Sequence, residues 1–239
     1  MNTPRARSPD LSLKSFRPVL WAAMAALLPL PALAHPHIFV DASHELIFDD
    51  QGRLEAVRAR WDYDEMFTLL MVEDGGYDTN KDGAINGDEL TGFQQWDADW
   101  PEDYAGDMVV EIGGQKIALE RPSDWAAEWH DGRAVSIHTR RLADPAEVAG
   151  AASPQILIRA YDPDYYVAYT ITAEPDFTGR EDCKAQVFEP DIDAIPDELR
   201  EAIAELSADT TPEAAGLTGA GLSAVGEMYA EEVHATCGG

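Results

Sequence analysis

Basic residues are scarce in this chain: 17 Lys and Arg stand against 45 Asp and Glu, a formal net charge of −28 over 239 residues. A surface so short of positive charge repels a phosphate backbone, which excludes nucleic acid as a partner. The acidic excess attracts cations and favours solubility, but it nominates no site. Cysteine is almost missing as well, with only Cys183 and Cys237. Long apolar runs are absent: the most apolar stretch, Val19 to Leu33, is broken by Pro29 and Pro31 and falls short of the ~20 residues that span a bilayer. No transmembrane segment is expected beyond it. There is no Gly-x-Ser-x-Gly, no His-Glu-x-x-His and no phosphate loop, and the many carboxylates single out no acid/base pair. The chain is read as a non-enzyme.

Among the features that are present, the stretch Asp78-Thr-Asn-Lys-Asp-Gly-Ala-Ile-Asn-Gly-Asp-Glu89 is the most specific, since it satisfies every position of an EF-hand loop. A hard cation that prefers about seven oxygens is offered Asp78, Asn80 and Asp82, the carbonyl of Ala84, Asn86 directly or through water, and a bidentate Glu89. Calcium (Ca2+) is the expected ligand. Glu65 to Glu73 can enter the loop as a helix and Asp88 to Trp96 can leave it as another. Sensor EF-hands work through an opening helix pair. A single loop in this chain points instead to a structural clip, filled outside the cytosol even at a modest affinity of ~10⁻⁴ to 10⁻³ M.

The N-terminus speaks to the compartment. Arg5, Arg7, Lys14 and Arg17 precede the apolar stretch, and Ala32-Leu33-Ala34 is a small-residue cleavage signature, so residues 1–34 read as a cleaved secretory signal. In an oxidising compartment Cys183 and Cys237 are then expected to pair. Two free thiols, or a soft-metal pair, are the alternatives.

Cleavage after Ala34 makes His35 the first residue, followed by Pro36 and His37. A terminal amine with pKa near ~8 and two imidazoles then place three borderline nitrogen donors within three residues. Such donors suit zinc, nickel, cobalt or copper (Zn2+, Ni2+, Co2+ or Cu2+) rather than calcium. Pro36 has no N–H to deprotonate, so any site must be built from side chains. His35 and His37, with Asp41 and a distant histidine such as His138 or His130 completing the shell, form one reading; rings that merely start a strand in solvent form the other. His44 and His234 show no evident partner.

The expected fold is α+β, a mainly antiparallel β-sandwich-like core with an inserted EF-hand helix-loop-helix and a C-terminal helix. Ile38 to Asp62 reads as a hairpin turning at Asp49-Asp50-Gln51-Gly52. Further strands are expected at Met108–Glu111, Lys116–Leu119, Trp125–Trp129, Ala134–Thr139, Gln155–Tyr161, Tyr165–Thr172 and Lys184–Phe188. The β-rich domain thus covers residues 35–190, with the helical insertion at about 64–104. In residues 191–239, Ile195, Leu199, Ile203 and Leu206 recur at helical spacing, Ser207 to Gly226 reads as a loose linker, and Glu227 to Cys237 returns to the body. Tyr161, Tyr165, Tyr166 and Tyr169 either pack in the core or line a ligand surface.

Several of these segments together carry a resemblance. His35-Pro-His-Ile-Phe-Val-Asp41, Trp61-Asp-Tyr-Asp-Glu65, Asp78-Thr-Asn-Lys-Asp82, Tyr161-Asp-Pro-Asp-Tyr-Tyr166 and the two spaced cysteines resemble domain-of-unknown-function family 1007, a bacterial periplasmic family. Its members are labelled the periplasmic component of an uncharacterised ABC-type transport system and tend to be encoded near nickel/cobalt-type transporters. The resemblance implies a periplasmic location, an inner-membrane metal transporter as partner, and functional roles for His35, His37 and Asp41. His44 departs from the pattern, and the acidic, Ala/Gly-rich tail before Cys237 is peculiar to this chain. The expectation is a calcium-stabilised periplasmic metal-binding accessory protein. Its alternatives are a calcium-stabilised module that binds a protein or small molecule, and a copper histidine-brace oxidase.

Overall fold

The structure is a computed structural model in which residues 36–102, 104–148, 155–163, 165–197, 200 and 222–238 are described. They belong to one compact unit, Ala34–Gly239. The signal segment 1–34, His35, most of the helix expected from Ile195 and the linker up to residue 221 lie outside the described residues.

The hairpin forms as its pattern dictates. Strands β1 (Ile38–Phe48) and β2 (Leu54–Tyr63) pair antiparallel. The Asp49 carboxylate closes the turn by accepting from the backbone N–H of Gln51 and of Arg53, both at 2.9 Å. Helices α1 (Glu65–Gly75) and α2 (Gly87–Phe93) follow. Asp64 caps α1 by accepting from the N–H groups of Met66 and Phe67. Its other oxygen accepts from Phe39 N–H at 2.8 Å, so one carboxylate fixes both the start of the helix and its place beside β1.

The chain then enters a second layer with β3 (Met108–Ile112) and β4 (Gln115–Lys116), and returns through β5 (Ser123–His130) and β6 (Arg133–Ala146). The strand expected at Lys116–Leu119 is shorter than its pattern suggested, because Leu119 leaves the hairpin to bridge Leu142 of β6. Strands β7 (Ile156–Ala160), β8 (Val167–Ile171), β9 (Asp176–Thr178) and β10 (Cys183–Phe188), a 3-10 turn at Ile192–Ala194, helix α3 (Leu222–Tyr229) and strand β11 (Glu232–Cys237) complete the described elements. One sheet runs β5-β6-β2-β1-β8, with β9 also on β1; the other runs β10-β11-β7-β3-β4. The pairs of β1 with β8 and β9 are parallel, and the remaining pairs are antiparallel.

The two sheets share one core. Val40, Ala42, Leu46 and Phe48 alternate inward along β1 and meet Met108, Val110, Ile156, Ile158, Val233 and Ala235 of the other sheet. Each such side chain of Val, Leu or Ile size contributes about 2 kcal/mol through burial. A smaller cluster of Val72, Ile85, Phe93, Ala127 and Ala134 holds the helix pair against β5 and β6. Two polar contacts reinforce it: Ala134 N–H donates to Thr68 Oγ1 at 3.0 Å, and Gln94 exchanges hydrogen bonds with the backbone of Ala127.

Cys183 and Cys237 face each other in register across β10 and β11 and form a disulfide. The end of the expected loose linker is different: Leu222 to Gly226 is part of α3. Gly226 is there for close approach rather than for flexibility, since a Cβ on it would lie 1.9 Å from the carbonyl oxygen of Asp162. Among the described residues no helix is long and apolar enough to cross a membrane.

Candidate functional site

The loop from Asp78 to Glu89 folds around its own side-chain oxygens. Asp82 N–H donates to Asp78 Oδ1 at 3.2 Å and to Asn80 Oδ1 at 2.8 Å. Gly83 N–H donates to Asp78 Oδ2 at 2.9 Å, and Ala84 N–H to Asp82 Oδ1 at 3.0 Å. These bonds tie three alternating oxygen-bearing side chains into one tight turn. Gly83, with φ of +81°, supplies the left-handed step that the turn requires. Ile85, 2 % exposed, anchors the loop in the smaller cluster.

Glu89 reaches back from α2, and its Oε1 accepts from Thr79 N–H at 2.8 Å, Thr79 Oγ1 at 2.7 Å and Asn80 N–H at 3.1 Å. The Thr79 hydroxyl bond leads the effects that hold the Glu89 carboxyl below its usual range. An all-oxygen donor set with an ionised carboxylate brought across the loop fits calcium in kind. Among the described residues no three His, Cys, Asp or Glu side chains are gathered into a ready metal cluster. Asp78, Asn80, Asp82, Asn86, Glu89 and the Ala84 carbonyl are the groups that would close on the ion, and its charge would then brace the helix pair against β5 and β6.

The second feature is a groove at the start of β1. His37 N–H and Ile38 N–H both donate to the Tyr166 carbonyl, at 2.8 and 3.2 Å. The His37 ring lies 4.7 Å from the Tyr166 ring, centroid to centroid. Tyr166 is itself set by Asp162, whose Oδ2 accepts from Tyr166 N–H and Val167 N–H. Opposite His37 stands α1, and a cavity of about 710 Å³ between them is lined by His37, Met66, Met71, Asp74, Tyr77 and Tyr166. His37 is therefore half-buried against an aromatic wall, not a ring loose in solvent.

The other residues nominated for a nitrogen-rich site do not join it. Asp41 pairs with Arg133 Nη1 at 2.6 Å, and Arg133 also bonds the carbonyls of Asp62 and Tyr63. His138 is fully buried, its ring 4.6 Å from Trp61, 5.1 Å from Trp100 and 4.9 Å from Trp125. Its neighbour in register is His44, across Ala59 of β2. That row lies seven residues along from His37, roughly 20 Å at the rise of a strand. His130 sits at the tip of the β5–β6 hairpin, within 3.7 Å of Asp62 and Asp131.

His44 and His138 belong to a polar layer between the sheets that the sequence reading missed. Neither ring has a hydrogen-bond partner among the described residues. Desolvation lowers His44 to about 4 and, aided by the Arg140 charge and by His44, lowers His138 to about 3, so both are neutral. The buried Arg140 guanidinium donates to the carbonyls of Glu120 and Ala105, and its charge disfavours a cation beside His138. Desolvation raises Asp97 and Asp107 to about 6. Asp107 accepts from Tyr169 Oη at 2.7 Å, and Asp97 from Tyr63 Oη at 3.4 Å. The signal for this layer was the alternation Ser136, His138, Arg140 on β6, whose polar face points into the core.

The fold and these features define a sheet-rich, two-layer protein with a helix-loop-helix inserted between β2 and β3. The chain belongs to domain-of-unknown-function family 1007, whose profile matches residues 20–237. No curated protein and no solved structure matches it.

Proposed function

We propose that this chain is a periplasmic metal-binding accessory protein. Residues 1–34 direct export and are removed, calcium in the Asp78–Glu89 loop braces the fold, and the His35-Pro36-His37 terminus takes up zinc, nickel, cobalt or copper for an inner-membrane transporter. The observation that supports this reading best is the groove. It holds His37 against Tyr166 and is walled by α1, the helix that leads into the oxygen-rich loop, so the two metal-type motifs of the sequence share one structural element. No bond is made or broken in this role. The chain binds an ion, keeps it from solvent on one side and releases it.

A second reading has one observation in its favour: Phe39, Met66, Leu69 and Leu70 are each more than half exposed, which is the surface a protein- or small-molecule-binding module would present. Intact mass and elemental analysis of untagged protein, purified from the periplasm without chelator, separates the two. A chain beginning at His35 with calcium and a transition metal is expected. Calcium alone on that chain favours the binding module, and a start elsewhere removes the terminal amine from the site.

A further inference from the structure

We infer that the groove between His37 and α1 is a soft-metal site that selects copper in its monovalent state, held by the His37 imidazole and the thioethers of Met66 and Met71. The inference rests on the metal-binding reading above and names the cargo. Met66, Phe67, Leu70, Met71 and Asp74 form the face of α1 that lines the groove with His37, the two methionines standing at the two edges of that face. Met66 is 72 % exposed, so its thioether does none of the gap-filling for which methionine is usually retained. Met71 lines the groove while packing in part against the smaller core cluster, and the three rotatable bonds of Met66 let its sulfur swing toward the imidazole.

The donor set decides the metal. Calcium and magnesium want oxygens, and zinc, nickel and cobalt do well with imidazole and carboxylate, whereas thioethers favour monovalent copper. The walls supplied by Ile38, Phe67 and Leu70 add no donor of their own. A neutral imidazole with two thioethers leaves the ion's single charge uncompensated, and Asp74 at the groove supplies one negative charge. The ion enters and leaves as monovalent copper, so no electron is transferred.

The test is an anaerobic competition for monovalent copper between the mature protein and a chromophoric chelator, with zinc and nickel titrations in parallel. The Met66→Leu/Met71→Leu variant is expected to lose monovalent copper affinity at least tenfold and to keep its zinc or nickel affinity. His37→Ala is expected to lose both. Copper should also shift the ε-methyl resonances of Met66 and Met71 in the wild-type protein. Unchanged copper affinity in the double variant, or copper binding that leaves both methyl resonances in place, overturns the inference. Zinc or nickel binding without monovalent copper binding overturns it and leaves the metal-binding reading standing. Failure to bind any transition metal removes both.

Discussion

Acidification tests the buried polar layer directly, because its groups titrate in opposite senses. An unfolded histidine takes up its proton near pH 6.5, whereas folded His44 and His138 resist it until about 4 and about 3. The unfolded state therefore binds more protons as pH falls below 6.5, and native stability drops by about 1.4 kcal/mol per pH unit for each ring, or about 3 kcal/mol per unit for the pair. Asp97 and Asp107 run the other way. Raised from 3.8 to about 6, they bind protons in the folded state first, so each adds about 1.4 kcal/mol per unit as pH falls from about 6 toward 4. The two pairs offset each other in that window. Urea denaturation followed by tryptophan fluorescence should give wild-type stability that is nearly level between about pH 6 and 4.5. The Asp97→Asn/Asp107→Asn variant should lose about 3 kcal/mol per unit over the same window. A level profile in the variant, or a steep one in the wild type, refutes the assignment of these four groups.

Three other outcomes are expected. Glu89→Gln should weaken calcium binding at least tenfold and abolish the rise in melting temperature that calcium gives the wild type, measured by calorimetry with and without chelator. Gly226→Ala should cost more than ~2 kcal/mol in urea denaturation, because the new methyl collides with the backbone of Asp162, whereas the same change at the open position Gly92 should be neutral or mildly stabilising. Replacing Cys183 and Cys237 together with serine should cost about 4 kcal/mol for the 54-residue separation that the bridge closes, read as a lower urea midpoint that reductant does not lower further.

Much of the framework was legible because it follows local rules. Alternating residues and Asp-Gly-type turns marked the β1–β2 and β5–β6 hairpins, and the fixed spacing of oxygen side chains marked the loop and the two helices around it. Sorting strands into layers was not legible: β7 and β8 are separated only by residues 161–166 yet belong to different sheets, and β9 is three residues long with no pattern of its own. Ala, Gly and Thr suggested a linker before Glu227, but helix packing at Gly226 overrode composition. At the candidate sites, His37 was found because it stands in a motif, while the methionines of α1 that line the same groove are ordinary members of a helical pattern. His44 and His138 were seen separately. What joins them is strand register across Ala59, a relation between segments that no single segment records.

The position of β11 has a consequence for how the chain reaches this state. It lies between β10 and β7, an interior strand of its sheet, yet it is separated from β10 by residues 189–231. Until residues 232–237 have been synthesised, β10 has no partner and β7 keeps an open edge, so the second layer is a pair of unfinished halves. Folding thus waits on a late, long-range closure, the kind of step that slows β-rich chains and leaves apolar strands exposed. A chain that cannot finish its core early remains threadable for longer, which is what the export proposed above would require.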